Sequence, residues 1–392
     1  MVTVEHALEK ILAQAKPVSG IESVALDNAL QRILAEDQVA PINVPPADNS
    51  AMDGYAVNRA DLINTHTLAV SQTITAGSIA LPLQAHTAAR IFTGAEIPKG
   101  ADAVVMQEQC VESNGKVTLP DDIPVNNNIR PLGQDIQAGE TMLKKGHRLR
   151  AQDIALLASV GMDTLSVYTP LSLAILSTGN ELVEPGEPLK KGQIYNSNRY
   201  LLKGLLQTLG VHIIDLAVVK DNLNETKKQL LTASKADCII STGGVSVGDE
   251  DYIKPAVSDL GRLDLWRLAL KPGKPLAFGH VQGTPFFGLP GNPVSTFLTF
   301  LLFVKPFLSI QQGQTYRPTK TLELIASFSH KANPKRQEYV RITIQGNQVT
   351  PFAKQSSGVL SSVVHADGLA VIPPMVTVKP GDKITIIPFS SL

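Results

Sequence analysis

The sequence predicts a multidomain α/β protein, and three observations lead to that fold class. The chain has 392 residues, enough for about three domains at roughly 100–200 residues each. Between about 171 and 310, apolar strand-like runs alternate with helical periodicity, which is typical of a parallel sheet covered by helices on both faces. The segments on either side consist largely of short β-like runs between Gly and Pro turns.

The composition indicates a soluble globular protein. The chain carries 35 basic and 35 acidic side chains, and 43% of its residues are hydrophobic. A neutral sum predicts neither a basic face for nucleic acid nor a basic block for an acidic membrane. Cys110 and Cys238 stand far apart without a C-x-x-C partner, which argues against a disulfide framework and a cysteine zinc site. The N-terminus has no charged and apolar leader, so we expect a cytoplasmic protein.

The first 170 residues predict two helices separated by β structure. Residues 3–16 carry an apolar stripe with helical period, and Thr3 is the expected N-cap. From about 37 to 146 the runs are short and β-rich. Residues 151–160 return to helical periodicity, so we expect a helical pair interrupted by a β insertion.

The central region predicts three strands alternating with three helices, followed by two short strands. The strands are expected at 171–176, 211–219 and 237–240, then near 275–278 and 285–288, and the helices at 198–209, 224–233 and 252–260. A further helix should begin at Pro293, with Asn292 as N-cap. Its apolar stretch, Val294–Val304, is about half of the roughly 18 residues that indicate a membrane span, so we expect a buried helix. From about 320 onward the chain is again β and predicts a small separate domain.

Two matching turns follow strands of the predicted sheet. The first contains Thr178 and Gly179. The second consists of Ser241, Thr242, Gly243 and Gly244. Ligands of doubly wound sheets bind beyond the carboxyl ends of the strands, where small residues let backbone N–H groups approach a phosphate. Ordinary tight turns would look the same, but two in one sheet favour a phosphate site.

A pair of lysines supplies fixed positive charge. Lys271 and Lys274 lie in a Lys-Pro-Gly-Lys-Pro segment that Pro and Gly hold out of helix, and a solvated basic turn is the alternative. The helix start with Pro290, Asn292 and Pro293 follows shortly after and could face the same crevice. This convergence favours an anionic ligand.

Carboxylates recur in turns, at Asp53, Asp135, Glu181, Asp221, Asp249 and Asp251. Most acidic loop residues are simply solvated. Beside phosphates they have a definite use, because one or two carboxylates hold Mg²⁺ together with phosphate oxygens and water. A magnesium-phosphate site is therefore predicted.

Two other chemistries fit less well. The run from Gly244 to Gly248 matches the G-x-S-x-G pattern of hydrolases, but Ser246 comes several residues after the strand has ended rather than at the tip of a turn. The histidines are scattered without metal-ligand spacing, which disfavours zinc and iron sites. The residues by themselves indicate an α/β enzyme that handles a phosphorylated ligand with Mg²⁺.

Several strings, spread over nearly the whole chain, resemble one family, the molybdopterin molybdenumtransferases or MoeA proteins, related to the E domain of gephyrin. The strings are Asp48–Val57, Arg90–Gly94, Arg130–Asp135, Ser177–Leu182, Asn196–Arg199, Ser241–Tyr252, Lys271–Pro275 and Gly288–Ser295.

The resemblance implies a homodimer of four-domain subunits. Residues 1–51 and 140–171 would form a linking domain, and 52–139 an inserted β-rich lid domain. Residues 172–319 would form a molybdopterin-binding α/β sandwich of the MogA type, and 320–392 a small β-barrel domain.

The implied reaction is insertion of molybdenum from molybdate into adenylated molybdopterin, with release of AMP and a need for Mg²⁺. The catalytic residues carried over by motif are Asp53, Asp135, Glu181, Asp221, Asp251, Lys271 and Lys274, with Glu181 and Asp251 at the Mg²⁺ and pyrophosphate end. Thr93, Arg341 and Ser357 would bind substrate, the last two holding molybdate, together with Ser246 and the turns described above. The lid of one subunit is expected to face the crevice of the other.

The sequence departs from the family pattern at two places. Asn180 and Asn196 stand where many members have Asp, which could alter metal affinity. The match around Ser357 is loose.

Two alternatives stay open at this point. One is the adenylyltransferase that makes adenylated molybdopterin, and the other is a non-catalytic cofactor carrier or scaffold. The adenylyltransferase and other cofactor-biosynthesis proteins are candidate partners. The sequence does not distinguish molybdate from tungstate.

Overall fold

The structure is a computed structural model that describes residues 1–18, 20–219, 222–244, 252–273 and 275–391. Its α-helices are α1 (Val4–Leu12), α2 (Ala151–Ser159), α3 (Ser197–Gln207), α4 (Leu223–Ala233), α5 (Ile253–Leu260), α6 (Pro293–Thr299), α7 (Lys305–Gln311) and α8 (Ser361–Val364). A π-helical stretch, Phe300–Val304, joins α6 to α7. Short 3₁₀ helices are Leu26–Asn28, Arg59–Leu62, Gln107–Gln109 and Phe389–Ser391.

The strands fall into three regions of the chain. The first contains β1 (Ile21–Ala25), β2 (Gln38–Val39), β3 (Asn49–Ser50), β4 (Gly54–Val57), β5 (Thr67–Ile74), β6 (Thr87–Ile91), β7 (Ala103–Met106), β8 (Val111–Ser113), β9 (Lys116–Thr118), β10 (Ile129–Arg130), β11 (Thr141–Leu143) and β12 (Thr164–Tyr168). The second contains β13 (Ser172–Thr178), β14 (Leu182–Val183), β15 (Ile194–Tyr195), β16 (His212–Val219), β17 (Cys238–Thr242), β18 (Gly261–Arg267), β19 (Leu270–Lys271), β20 (Pro275–Val281) and β21 (Thr284–Leu289). The third contains β22 (Leu322–Ala326), β23 (Gln337–Gln345), β24 (Gln348–Pro351), β25 (Gly368–Ile372) and β26 (Lys383–Pro388).

The central sheet has the order β16-β13-β17-β21-β20-β18. Its first four strands are parallel, as predicted, whereas β20 runs antiparallel to β21 and to β18. Leu173 and Ile175 of β13 face the apolar cluster that contains α3, α6 and α7. The alternate residues Ala174 and Leu176 face α4 and α5. Helices therefore cover both faces, and the predicted α/β class is confirmed.

The helix that begins at Pro293 is longer than its apolar stretch suggested. Through the π-helical stretch it continues to Gln311, giving a helix of 19 residues that contains an 18-residue window with a mean hydropathy of 1.6. By length and composition this helix could cross a membrane, but 67% of the window is buried inside the protein. Its apolarity is therefore that of a core helix.

Helix α1 packs on this long helix. Thr3 Oγ1 accepts a hydrogen bond from the His6 N–H at 3.3 Å, as an N-cap does. Ala7 and Ile11 belong to the cluster that contains α7, whereas Leu157 of α2 lies in a different cluster. Both predicted helices are present with β structure between them, but they belong to different clusters, because the apolar stripe of α1 is buried against the longer helix.

Three antiparallel ladders join the segment before residue 51 to the segment after 128. They pair β1 with β12, β2 with β11 and β3 with β10. Between them the chain forms a separate sheet, β7-β4-β6-β5-β9-β8. This topology is that of a β-rich segment inserted between the paired segments. The boundaries of the four domains stay predictions.

The last region closes into a small barrel. Strand β23 pairs with β24 and β25, and β22 and β26 complete the ring. Strand β19 of the central region joins β23 in parallel, with Lys271 opposite Glu338. The expected β-barrel is present, and one of its strands reaches the segment of the predicted lysine pair.

Candidate functional site

A crevice of about 990 Å³ lies at the carboxyl ends of β13, β17 and β21 and extends to the barrel. This position agrees with the rule for ligands of doubly wound sheets. The predicted site residues that line it are Thr178, Glu181, Thr242, Gly243, Gly244, Lys271, Pro290, Asn292, Pro293 and Ser357. The structure thus brings together both turns, the helix start and one of the two lysines.

The two turns that follow β13 and β17 touch each other. The hydroxyls of Ser177 and Thr242 are 3.1 Å apart. Gly243 has φ +83°, and a Cβ there would lie 2.7 Å from the Thr178 carbonyl oxygen. Gly244 has φ +66° and would meet the Thr178 hydroxyl at 2.8 Å. Only glycine permits this approach of backbone to backbone.

Ser241, at the end of β17, is completely buried. Its hydroxyl has no hydrogen-bond partner within the described part of the chain. It lies behind the crevice wall rather than on it, so its predicted contact with substrate stays a prediction.

Glu181 presents a carboxylate at the first turn. Gly179 has φ +144°, and a Cβ there would lie 2.6 Å from Glu181 Oε2, so the carboxylate folds over this glycine. Within the described ranges, no three acidic, His or Cys side chains are grouped to hold a metal. A Mg²⁺ ion held mainly by phosphate oxygens and water needs only one or two carboxylates. Glu181 therefore fits a magnesium ion that arrives with a phosphorylated ligand.

Lys271 brings positive charge to the crevice. Its Nζ lies 3.0 Å from Glu338 Oε1, and its side chain is 53% exposed. Burial by itself raises the pKa of Glu338, but hydrogen bonds from Asn333, Lys271 and His330 outweigh it and hold that pKa below its ordinary value. The carboxylate is therefore ionised beside the lysine at neutral pH.

The start of α6 is tied to the barrel. Ser357 O accepts the N–H of Val294 at 3.0 Å, and Asn198 Nδ2 donates to Gly291 O at 2.7 Å. Pro293 has no N–H to offer. The helix start therefore has fewer free donors for an anion than the sequence suggested, and part of its capping holds the crevice wall in place.

Arg341 lies behind the crevice rather than on its surface. It is 1% exposed, and its guanidinium donates to Ser356 O and Ser362 Oγ, both at 3.2 Å. Burial lowers its pKa to about 10. Its predicted contact with molybdate stays a prediction.

The residues predicted to belong to a lid are not among those that line the crevice. Asp53 Oδ1 accepts hydrogen bonds from the N–H and the hydroxyl of Thr93, both at 2.7 Å. The bond from the Thr93 N–H is the main cause of the lowered pKa of Asp53. Asp135 lies in an exposed loop, where its N–H donates to Val44 O. None of the three lines the crevice.

Four predicted site residues, Asp221, Ser246, Asp251 and Lys274, lie outside the described residues, as does Asp249. Asn196, one of the two departures from the family pattern, is buried and caps α3 by accepting the N–H of Arg199 at 3.2 Å. Its amide therefore has a structural use that needs no metal.

Several residues of the site were not predicted from the sequence, namely Ser295, Arg336, Gln355 and Ser356 on the crevice wall and Glu338 behind it. Glu338 carried a detectable signal, because it is an acid inside an apolar strand, where an unpaired charge would be costly. The others come from loops and a helix start that carry no such signal.

Comparison with protein families matches three models in order along the chain. They are the MoeA N-terminal region (domain I and II) over residues 2–161, a probable molybdopterin binding domain over 174–310, and the MoeA C-terminal region (domain IV) over 323–389.

Curated relatives cover nearly the full chain. A molybdopterin molybdenumtransferase of Haemophilus influenzae is 40% identical and covers 100% of both chains. One of Staphylococcus aureus is 34% identical, over 95% of this chain and 91% of the relative. The crystal structure of a molybdopterin biosynthesis MoeA protein from Pyrococcus horikoshii matches with a TM-score of 0.87 at 30% identity, covering 99% of this chain and 100% of that one.

Proposed function

The chain belongs to the MoeA family, and from this premise we propose that its crevice binds adenylated molybdopterin and inserts molybdenum from molybdate, with release of AMP. The broader activity follows from the relatives, which are molybdopterin molybdenumtransferases at up to 40% identity over the full chain. The protein is a molybdenum-transferring enzyme of molybdenum cofactor biosynthesis.

The observation that carries the proposal is the junction of two glycine turns beside Lys271 in one crevice. In the proposal, the phosphate groups of the substrate lie along the turns at Thr178 and Gly243, where the backbone approaches closely. Lys271, with Lys274 as the predicted second cation, lies where molybdate and the substrate meet.

Charge screening is the main task of these residues. Two unit anions about 4 Å apart repel each other by about 4 kcal/mol at an effective dielectric of 20. An ammonium between them offsets much of that cost. The sulfur ligands of molybdenum belong to the dithiolene of the pterin, so the protein needs no nucleophile. Burial raises the pKa of Cys110 to about 11 and also raises that of Cys238, which agrees with neither thiol acting as a thiolate.

We assign Glu181, together with Asp251, to hold Mg²⁺ beside the pyrophosphate. When bound, the ion neutralises phosphate charge. The exposed carboxylate that folds over Gly179 supports this assignment. Glu181 also orients the first turn, because its backbone O accepts the Ile194 N–H at 2.9 Å.

The proposal includes a cytoplasmic homodimer with a site shared between subunits. Asp53, Thr93 and Asp135 would act on the crevice of the partner subunit. Their absence from the crevice of their own chain supports this arrangement. Arg341 and Ser357 are proposed to serve molybdate, Ser357 from the crevice wall and Arg341 from behind it.

The decisive experiment measures AMP release from adenylated molybdopterin as molybdate and Mg²⁺ are varied. We expect release that requires both. Robust ATP consumption with molybdopterin in the absence of molybdate would instead identify an adenylyltransferase, and binding of molybdopterin without AMP release would identify a carrier.

A matched pair of variants tests the site itself. Glu181→Gln should lower AMP release at least tenfold, because it removes the carboxylate charge proposed to hold Mg²⁺ beside the phosphates. Glu187→Gln changes an exposed carboxylate outside the crevice and should release AMP like the wild type. Equal activity of the two variants would refute the role of Glu181.

A further inference from the structure

We infer that Glu338 of the barrel is a positioning residue, which fixes the ammonium of Lys271 in the crevice during molybdenum transfer. The inference rests on the proposed function, since it assigns Lys271 to that reaction. Glu338 does not line the crevice and therefore acts only through the lysine.

The backbone already places the two residues side by side. Strands β19 and β23 pair in parallel, and Lys271 is the register partner of Glu338. The N–H of Gln337 donates to Ala269 O at 2.8 Å and anchors the pairing. The contact between the side chains is thus built into the junction of the central region with the barrel.

The carboxylate of Glu338 is itself held on several sides. It is 5% exposed, and its Oε1 accepts from Lys271 Nζ at 3.0 Å and from Asn333 Nδ2 at 2.9 Å. Its Oε2 is hydrogen-bonded to His330 Nε2. The Oδ1 atom of Asn333 also accepts the N–H of Arg336 at 3.0 Å, which ties the cluster to another residue of the crevice wall. A carboxylate fixed in this way is a rigid anchor.

A rigid anchor matters because lysine is flexible. A long side chain with 53% of its surface exposed samples many rotamers, and ordering it costs conformational entropy. One of the three N–H donors of the ammonium group bonds to Glu338 and fixes the direction of the head group. Within the described residues the other two have no partner and are available to anions. The fold therefore orders the Lys271 side chain before substrate binds.

The electrostatics make this role distinguishable from a binding role. A negative charge beside an anion site weakens anion binding, so Glu338 cannot help by attracting molybdate. Removing its charge should leave the KM for molybdate unchanged or lower. If it positions Lys271, the same change should lower kcat.

The kinetic test compares Glu338→Gln with Asp153→Asn, which changes a carboxylate of similar burial outside the crevice. For E338Q we expect kcat for AMP release to fall about tenfold, with a KM for molybdate no higher than that of the wild type. The control should keep both constants. Glu338→Asp retains the charge but withdraws it from the lysine, so its kcat should also fall. This variant replaces E338Q in the test if E338Q does not fold.

A second readout does not depend on turnover. Brief acetylation followed by mass spectrometry reports how readily the Lys271 amine reacts, with Lys144 as an internal reference. We expect Lys271 to react severalfold faster in E338Q than in the wild type, and at the wild-type rate in the control. Equal reactivity in E338Q and wild type, or an unchanged kcat in E338Q, overturns the inference. A wild type that releases no AMP would refute the proposed function instead, while the labelling result would still test the contact.

Discussion

The Nη2 atom of Arg341 donates a hydrogen bond to the carbonyl oxygen of Ser356 at 3.2 Å, from a position that is almost completely buried. Within the described ranges no carboxylate makes an ion pair with this guanidinium, although its pKa of about 10 keeps it charged at neutral pH. Gln355 donates to the carbonyl oxygen of Arg341 at 2.8 Å. The segment that carries Ser357 is thus supported from behind by a buried cation.

Because Arg341 supports this segment from behind, replacing it by Met should lower the free energy of unfolding. The carbonyl of Ser356 and the hydroxyl of Ser362 would lose their donor, at a cost of about 1–3 kcal/mol in the free energy of unfolding. Denaturant titration measures this change. Arg336→Met, which alters a cation on the crevice wall, is the control and should leave the free energy of unfolding nearly unchanged. Equal stability of R341M and wild type would contradict the support.

The contact between the two turns predicts that Gly243→Ala lowers stability and AMP release more than Gly192→Ala does. Both glycines have similar positive φ, +83° and +89°, so both variants bear the same backbone strain. Only at Gly243 would the new Cβ meet a backbone atom, 2.7 Å away, whereas Gly192 has open space. We expect G192A to lose about 1 kcal/mol and to keep activity, and G243A to lose more stability and most AMP release. Similar losses in the two would show that the turns do not need this approach.

Much of the central sheet could be predicted because its signals are local. Asn292 and Pro293 marked the start of α6, although within the described residues the Asn292 side chain makes no capping hydrogen bond. Short apolar runs next to glycine turns marked the parallel strands. Strand β18 was not predicted, and neither was the antiparallel direction of β20, because a short apolar run indicates a strand but not its direction. That α1 and α2 belong to different clusters was not predicted either, because an amphipathic stripe indicates that a helix is buried but does not indicate its neighbour.

The site was predictable where residues follow one strand, and not where distant segments meet. Thr178, Glu181 and Gly243 follow neighbouring strands, so the topology brings them together. Glu338 reaches Lys271 only through the pairing of β19 with β23, 67 residues apart in sequence, and no local pattern encodes that pairing. Arg341 carries the correct charge for an oxyanion site, but the sequence cannot tell which side of a wall a long side chain occupies.

Asp53 does not line the crevice of its own chain, and the proposed shared site therefore predicts complementation between inactive variants. Asp53→Asn removes a carboxylate of the proposed lid and Glu181→Gln a carboxylate of the crevice. If the site is shared across a dimer, a mixed dimer contains one crevice with both carboxylates intact and one with neither. Unfolding and refolding an equal mixture should then restore about one quarter of wild-type AMP release, since half of the dimers are mixed. Size-exclusion chromatography verifies the dimer.

A mixture with no more activity than the separate variants would show that both carboxylates act within one chain. The control mixes Glu181→Gln with Asp251→Asn. Both residues are predicted to serve the same crevice, so every mixed dimer should remain inactive.

Asp153 predicts a specific loss of stability in acid. Its Oδ2 accepts hydrogen bonds from the N–H and Nε of Arg150 and from His147 Nε2, at 2.8–2.9 Å. The Arg150 side chain is the main cause of the strongly lowered pKa of Asp153, His147 adds to it, and burial opposes both. An Asp in the unfolded chain titrates near 3.9.

Because the folded pKa is the lower one, the stabilisation from Asp153 is fully present above about pH 4–5 and is lost as the pH falls toward the folded value. Asp153→Asn should therefore unfold more easily than the wild type by about 1–3 kcal/mol at pH 6, and the difference should shrink steadily between pH 4.5 and 3, over the range where only the unfolded chain takes up this proton. Asp122→Asn, an exposed change, should show no such convergence. Denaturant titrations at several pH values measure the differences. A gap between wild type and D153N that stays constant down to pH 3 would mean that the ionised carboxylate is not what stabilises the start of α2.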